Sequence, residues 1–218
     1  MNIFLPVVSL ILAYIAGSIP TSVWAGKMFH GVDIREHGSG NAGATNTIRV
    51  LGWKTGVPVL IIDIAKGLAA ALLPAFFHAA IPGSNQMVIL QIACGMAAII
   101  GHVFPVFAGF NGGKGVATTF GVLLALLPWA TLTCAGVFVI VLLIWGYVSL
   151  ASVTAGIMFP VFIFTLFTPP SVIMKIFSVL IAVALIITHE KNIVRLFHGE
   201  EKKFLYNKKS KKEIEENR

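Results

Sequence analysis

The sequence predicts an all-α, polytopic bundle of transmembrane helices with about seven spans. Three observations predict it. Of the 218 residues, 57% are hydrophobic and 11% are charged, where a soluble domain carries roughly 25% charged residues. The mean hydropathy is +0.89. The apolar residues gather in seven segments, about 3–26, 56–80, 86–104, 115–128, 129–147, 153–168 and 171–188. A helical span needs about 20 such residues, fewer inside a bundle. Backbone polar groups must be satisfied within lipid, so these segments are helices and not an open sheet.

The first segment has no Lys or Arg before Lys27, so it reads as an uncleaved span and not as a signal peptide. The breaks farther along carry turn chemistry: Ile81-Pro82-Gly83-Ser84-Asn85, Leu127-Pro128-Trp129 and Thr168-Pro169-Pro170-Ser171. With seven spans, alternate connections fall on the same side. One side receives Lys27, Arg35, Arg49 and Lys54, then Lys114, then the connection 148–152 and everything after residue 188. The other side receives 81–85, 127–129 and 168–171, which hold no Lys or Arg. The positive side is cytoplasmic, which puts the N-terminus outside and the C-terminus inside. Residues 1–201 read as one integral membrane domain and 202–218 as a charged cytoplasmic tail.

The net charge is +7, and over half of the Lys and Arg follow His189. No soluble basic module with interleaved aromatics exists to read nucleic acid, so anionic lipid or an anionic substrate accounts for the charge better. Cys94 and Cys134 lie in apolar segments with no zinc or CxxC spacing. No metal cluster is visible and no cofactor is implied.

Polar chemistry is confined to the inner connections. Gly112-Gly113-Lys114-Gly115 separates two apolar segments. Small residues let backbone N–H groups approach an anion, and Lys114 adds a full charge. A helix starting near Val116 would point its free N–H groups at the same place. A Walker loop ends in Lys followed by Ser or Thr; here Gly115 follows Lys114, so nucleotide binding is unsupported. The alternative is a tight turn between spans.

The first inner loop holds a literal GxGxxG from Gly38 to Gly43, but its flank is charged and its neighbours are transmembrane, so it is no dinucleotide fingerprint. What remains is a loop dense in donors: Ser39, Asn41, Thr45, Asn46 and Arg49, with Gly38, Gly40 and Gly43 between them. Arg can hold a phosphate bidentately, and Ser and Asn add neutral donors. Ser149 and Ser152, three apart, would share a helix face if the segment is helical. His189 and Asn192 repeat at helical spacing where the last span ends. Within the spans, Asp63 and Lys66 are charged exceptions, placed to pair on one helix face. Polar motifs on one face with nearly clean spans describe an enzyme open to the cytosol with walls in the lipid; a transporter of phosphate or organophosphate, the alternative, would place polar groups near the midplane.

Taken in order, Gly17-Ser18-Ile19-Pro20-Thr21-Ser22, Asp33-Ile34-Arg35 with the Gly38–Arg49 loop, Gly101-His102-Val103-Phe104-Pro105 leading to Gly112–Gly115, and His189-x-x-Asn192-Ile193-x-Arg195-Leu196 with Gly199 and Glu201 resemble the bacterial acyl-phosphate:glycerol-3-phosphate acyltransferase family. The likeness runs from the first span to Glu201; Asn111 and Ala151 depart from the usual pattern. The resemblance implies transfer of a fatty acyl group from acyl phosphate to the 1-hydroxyl of glycerol 3-phosphate. The products are lysophosphatidic acid and inorganic phosphate, at the start of phospholipid synthesis. It implies a multi-pass protein of the bacterial cytoplasmic (inner) membrane, with the active site on the cytoplasmic face. Acyl phosphate would come from a separate soluble enzyme. The oligomeric state stays open, a monomer being sufficient.

Under that resemblance Ser39, Arg49, Lys114, His189 and Asn192 are the catalytic candidates. Gly38, Gly40, Asn41, Gly43, Asn46, Gly112, Gly113, Gly115, Ser149 and Ser152 are expected to bind the phosphates and the glycerol, and Glu201 to pair structurally with a nearby basic residue. No Ser-His-Asp triad is visible, so direct transfer ranks above an acyl-Ser39 intermediate. Either His189 or a substrate phosphate is the base.

Overall fold

The computed structural model describes residues 3–167 and 171–204. Each of the seven apolar segments contributes a helix. The first is a bent pair, α1 (Phe4–Gly17) and α2 (Thr21–His30), meeting at 41°. Pro20 causes the bend, because it lacks an N–H and its ring disfavours the helical conformation in Ile19. After a loop come α3 (Ala44–Leu51), α4 (Trp53–Phe76) and α5 (Asn85–Val103). Then follow α6 (Val116–Leu126), α7 (Pro128–Trp145), α8 (Val148–Thr165) and a second bent pair, α9 (Val172–Thr188) with α10 (Glu190–Phe197) at 62°.

Among the described residues, four helices are long and apolar enough to cross a bilayer, or up to six spans if each bent pair counts as one. The hydropathy pattern suggested seven. The difference lies in the segment 115–128, which yields Gly115 to the preceding loop and Leu127 to a turn, leaving 11 residues in α6. At 1.5 Å per residue that helix is about 16 Å long, against about 30 Å of hydrocarbon. The break at Thr168-Pro169-Pro170 lies outside the described residues.

α6 is held by close backbone packing against α4. A methyl built on Gly67 would sit 2.9 Å from the Thr118 carbonyl carbon, and one on Gly121 would sit 2.9 Å from the Leu68 nitrogen. Small residues at a helix crossing are how membrane helices gain dispersion energy where lipid offers no hydrophobic drive. Around them Val122, Ala130, Phe159, Ile163, Phe177 and Ile181 form a buried apolar cluster. The outward faces carry Ile61, Ile140, Leu143 and Leu180 in the open, as lipid-facing positions should.

The connections that alternation assigned to one side do meet at one end of the bundle. Arg35 donates to the Ala108 carbonyl at 2.9 Å, Ser149 to Glu201 at 2.8 Å, Lys202 to the Gly38 carbonyl at 3.0 Å, and the Phe204 N–H to the Gly146 carbonyl at 2.8 Å. Val23, Ile34, Ala42, Val50 and Leu51 form a small core of their own beneath the first loop.

Candidate active site

The first loop is braced at both ends. At its start Asp33 takes Arg35 at 2.7 Å and Lys27 at 3.2 Å, and the Arg35 hydrogen bond holds the Asp33 carboxyl well below the usual carboxylate range. Arg35 then reaches across to the carbonyls of Ala108 and Asn111, tying this loop to the one that precedes Lys114. At its far end Asn46, buried in α3, spends its whole amide on the loop. It accepts from the Ser39 N–H at 2.8 Å and donates to the Ile34 and His37 carbonyls at 3.0 Å each. Gly38 and Gly40 have φ of +65° and +74°, which carries the chain over the Asn46 amide. Arg49, one turn farther along α3, is half-buried. Its Nε makes no hydrogen bond, and burial lowers its pKa. An orphaned guanidinium N–H in such a place is costly unless an acceptor meets it.

The second loop leaves α5 through Pro105 and returns beneath it. The N–H groups of Gly112 and Gly113 donate to the Val103 and His102 carbonyls, each at 3.1 Å. The sequence suggested these N–H groups for an anion. Here they satisfy the carbonyls that α5 leaves unpaired at its end. The helix expected near Val116 does start there, and Gly115, at φ +78°, caps it. Val116 and Ala117 line the cavity, and the first N–H groups of a helix have no partner inside it. Lys114 projects beside them and donates to Asn192 Oδ1. Burial pushes the Lys114 ammonium down to about 8, with Glu201 opposing and Arg195 assisting.

The third group comes from the junction of α9 and α10. His189 is buried with Nδ1 2.8 Å from the Leu185 carbonyl. A carbonyl only accepts, so Nδ1 carries the proton and a neutral imidazole keeps its lone pair at Nε2. Asn192 Nδ2 donates to Glu201 Oε1 at 2.7 Å, and Ser149 donates to the same oxygen at 2.8 Å. Lys114, Asn192, Glu201 and Ser149 thus form one chain of hydrogen bonds. Ser152 turns back onto the Val148 carbonyl at 2.8 Å. After Glu201 the chain runs back over the site: Lys202 meets Gly38, Lys203 lies over the Tyr147 ring, and Phe204 meets the edge of Trp53. The charge pattern had placed 202–218 in a tail. Residues 202–204 are instead packed on the domain, and 205–218 lie outside the described residues.

All but two of the expected site residues line one cavity of about 840 Å³; the two are Gly38 and Gly113. Its polar end carries Arg49, Lys114, Arg195 and Lys202 beside Glu201, and suits more than one negative charge. Its other end is apolar, lined by Leu123, Phe138, Leu142, Phe159, Ile181 and Leu185. Sequence reasoning left out Arg195 and Lys202, which sit at the site through the bend at His189 and the return of the chain. It also left out Asp63 and His102 on the cavity wall. The Asp63–Lys66 pair expected from spacing is present at 2.8 Å.

The model of a family described as glycerol-3-phosphate acyltransferase matches residues 7–199. A glycerol-3-phosphate acyltransferase of Chlorobaculum tepidum is 46% identical, over 92% of this chain and 97% of its own. One of Chlorobium luteolum is 44% identical, over 91% and 96%. The crystal structure of PlsY (YgiH), an integral membrane glycerol 3-phosphate acyltransferase, in its glycerol 3-phosphate form superposes with a TM-score of 0.79 and 38% identity, covering 92% of this chain and 96% of that one. Its lysophosphatidic acid form gives 0.77. The motifs, the membrane bundle and these relatives agree: the chain belongs to the glycerol-3-phosphate acyltransferase family, whose reaction it catalyses as an integral membrane enzyme.

Proposed function

We propose that the acyl donor is an acyl phosphate, and that the enzyme works from the cytoplasmic face of a bacterial inner membrane on glycerol 3-phosphate delivered from water. The observation that carries this reading is the two-ended cavity, with cations at one end and an apolar wall at the other. A phosphate-bearing acyl donor has that same division. The solved relatives, in their glycerol 3-phosphate and lysophosphatidic acid forms, support the acceptor and the product.

One phosphate is held by Lys114 with the first turn of α6, the other by Arg49 with Ser39 and Asn41. The acyl chain lies along the apolar wall. The 1-hydroxyl oxygen of glycerol 3-phosphate attacks the acyl carbon, and the bond from that carbon to the phosphate oxygen breaks. The electron pair leaves with the phosphate, and the proton of the hydroxyl ends there too. It passes directly or through Nε2 of His189, whose other nitrogen the Leu185 carbonyl holds. Asn192 fixes the direction of the Lys114 ammonium, and Glu201 with Ser149 fixes Asn192. Charge developing on the carbonyl oxygen and the leaving phosphate is met by donors already in place. The enzyme needs no cofactor for this, and a separate soluble enzyme supplies the donor.

The test uses purified protein in a lipid mesophase with palmitoyl phosphate and glycerol 3-phosphate. Lysophosphatidic acid and inorganic phosphate should appear in equal amounts, with palmitoyl-coenzyme A giving none. Transfer from the thioester alone would overturn the assignment of the donor. Lys114→Met and Arg49→Met should each lower kcat/KM about 100-fold or more, with unchanged helical content; normal rates in both would overturn the site.

A further inference from the structure

Behind the second loop lies a buried polar cluster that the mechanism above does not use. Asp63 of α4 accepts from Lys66 at 2.8 Å and from Thr21 of α2 at 3.0 Å. Lys66 also donates to the Ile19 carbonyl at 2.9 Å, which takes the Thr21 N–H at 3.0 Å as well. His102, in the last turn of α5, has Nδ1 3.8 Å from Asp63 Oδ1 and 3.1 Å from the Thr118 hydroxyl. Asp63, Lys66, His102 and Thr118 are all buried. The cluster therefore joins the α1–α2 break, α2, α4, α5 and the first turn of α6.

Two features connect it to the anion site. The imidazole edge of His102 lies directly under Gly113: a methyl there would meet His102 Nε2 and stand 2.7 Å from the Ala42 carbonyl of the first loop. The His102 carbonyl receives the Gly113 N–H. Thr118 is the third residue of α6, whose first two residues line the cavity, yet Thr118 itself does not. A buried ion pair is weak support for stability, since apolar residues of similar size serve at least as well, and such groups are often kept for the arrangement they specify.

We infer that the Asp63–Lys66–His102–Thr118 cluster is a positioning device for the anion site, with Thr118 and His102 as positioning residues that set Lys114 and the start of α6 against the first loop. The inference rests on the reading that Lys114 and α6 hold a phosphate. Asp63, fixed between Lys66 and Thr21, orients the imidazole; the imidazole locks Thr118 on one side and supports Gly113 on the other. None of these four groups transfers a proton in the reaction.

Thr118→Val tests this, because it exchanges one hydroxyl for a methyl of the same size and touches no substrate. Thr118→Ser restores the hydroxyl. The readouts are the inhibition constant of added inorganic phosphate, kcat, and the melting temperature in detergent, with Lys114→Met measured alongside. Thr118→Val should weaken phosphate inhibition about 10-fold, with melting within about 2 °C of the parent, and Thr118→Ser should recover most of the loss. Should Thr118→Val give no folded protein, Thr118→Ala takes its place with the same expected result. An unchanged phosphate constant in the Thr118 variant, with a weakened one in Lys114→Met, overturns the cluster's role and leaves the phosphate site standing. An unchanged constant in Lys114→Met overturns both.

Discussion

The Gly38–Gly43 loop and the Gly112–Gly115 loop face one cavity but are held in different ways. The first is held mainly by side chains: Asn46 makes all three of its hydrogen bonds to the loop that precedes it, and Lys202 reaches the Gly38 carbonyl. The second is stitched by backbone to the end of α5 and rests on the His102 ring. One loop can shift if one amide is lost. The other cannot shift without unmaking the end of a transmembrane helix. Under the proposed reaction two phosphate-bearing substrates enter and two phosphate-bearing products leave, and one compliant wall facing one fixed wall serves that exchange.

Glycine substitutions should break this comparison most sharply. Gly113→Ala puts a methyl on the His102 ring and the Ala42 carbonyl, where the neighbours are backbone and a buried ring with no room to yield. Activity should fall about 100-fold, the scale of a displaced group at a reacting centre. Gly40→Ala meets only the Arg35 carbonyl at 3.4 Å, though its φ of +74° remains strained. That strain costs about 1 kcal/mol, and the assay should record a loss of no more than about 5-fold. Equal losses in the two variants would mean that the loops are equally rigid.

Asn46→Ala comes next. It removes three hydrogen bonds from a buried position and leaves the Ser39 N–H without its acceptor. At about 1 kcal/mol for each bond, the loop should open locally while the bundle stays folded. Amide exchange should rise over residues 34–46 and stay constant in α5 and α6. The acyl transfer rate should drop about 10-fold, through KM for one phosphate-bearing substrate. A drop in kcat alone, with no change in exchange, would place Asn46 among the groups that meet the transition state.

These differences mark what could be read in the sequence. Spans were legible because hydropathy needs no partner, and the convergence of loops followed from alternation. The segment 115–128 forms a shorter helix than its hydropathy suggests because hydropathy does not register that Gly115 caps a helix or that the helix stops before Leu127. Lys114, Arg49 and His189 stood out by charge, by small neighbours and by position at a span end. Which donors are already committed was not legible. The Gly112 and Gly113 N–H groups are consumed by carbonyls nine residues earlier or more, and only the path of the chain through Pro105 reveals it. Asn46 looked like a ligand donor for the same reason. The Asp63–Lys66 pair was visible from its spacing along one helix, whereas its link to His102 and Thr118 joins three helices and has no local signature.

The smallest effect tests the electrostatics of the fixed wall. Burial holds Lys114 near 8, so its charge is present below that pH and is lost as the pH rises through it. The alkaline limb of kcat/KM, which reports the free enzyme, should therefore fall near pH 8. Bound phosphate favours the ammonium, so the limb of kcat should lie at higher pH. Arg195 disfavours the Lys114 charge and Glu201 favours it. Arg195→Met should then move the kcat/KM limb up by a few tenths of a pH unit, and Glu201→Gln should move it down by a similar amount. The titration of substrate phosphate is common to all the variants and cannot produce shifts of opposite sign. Shifts in the same direction would assign the limb to another group and remove Lys114 as the pH-dependent cation of the site.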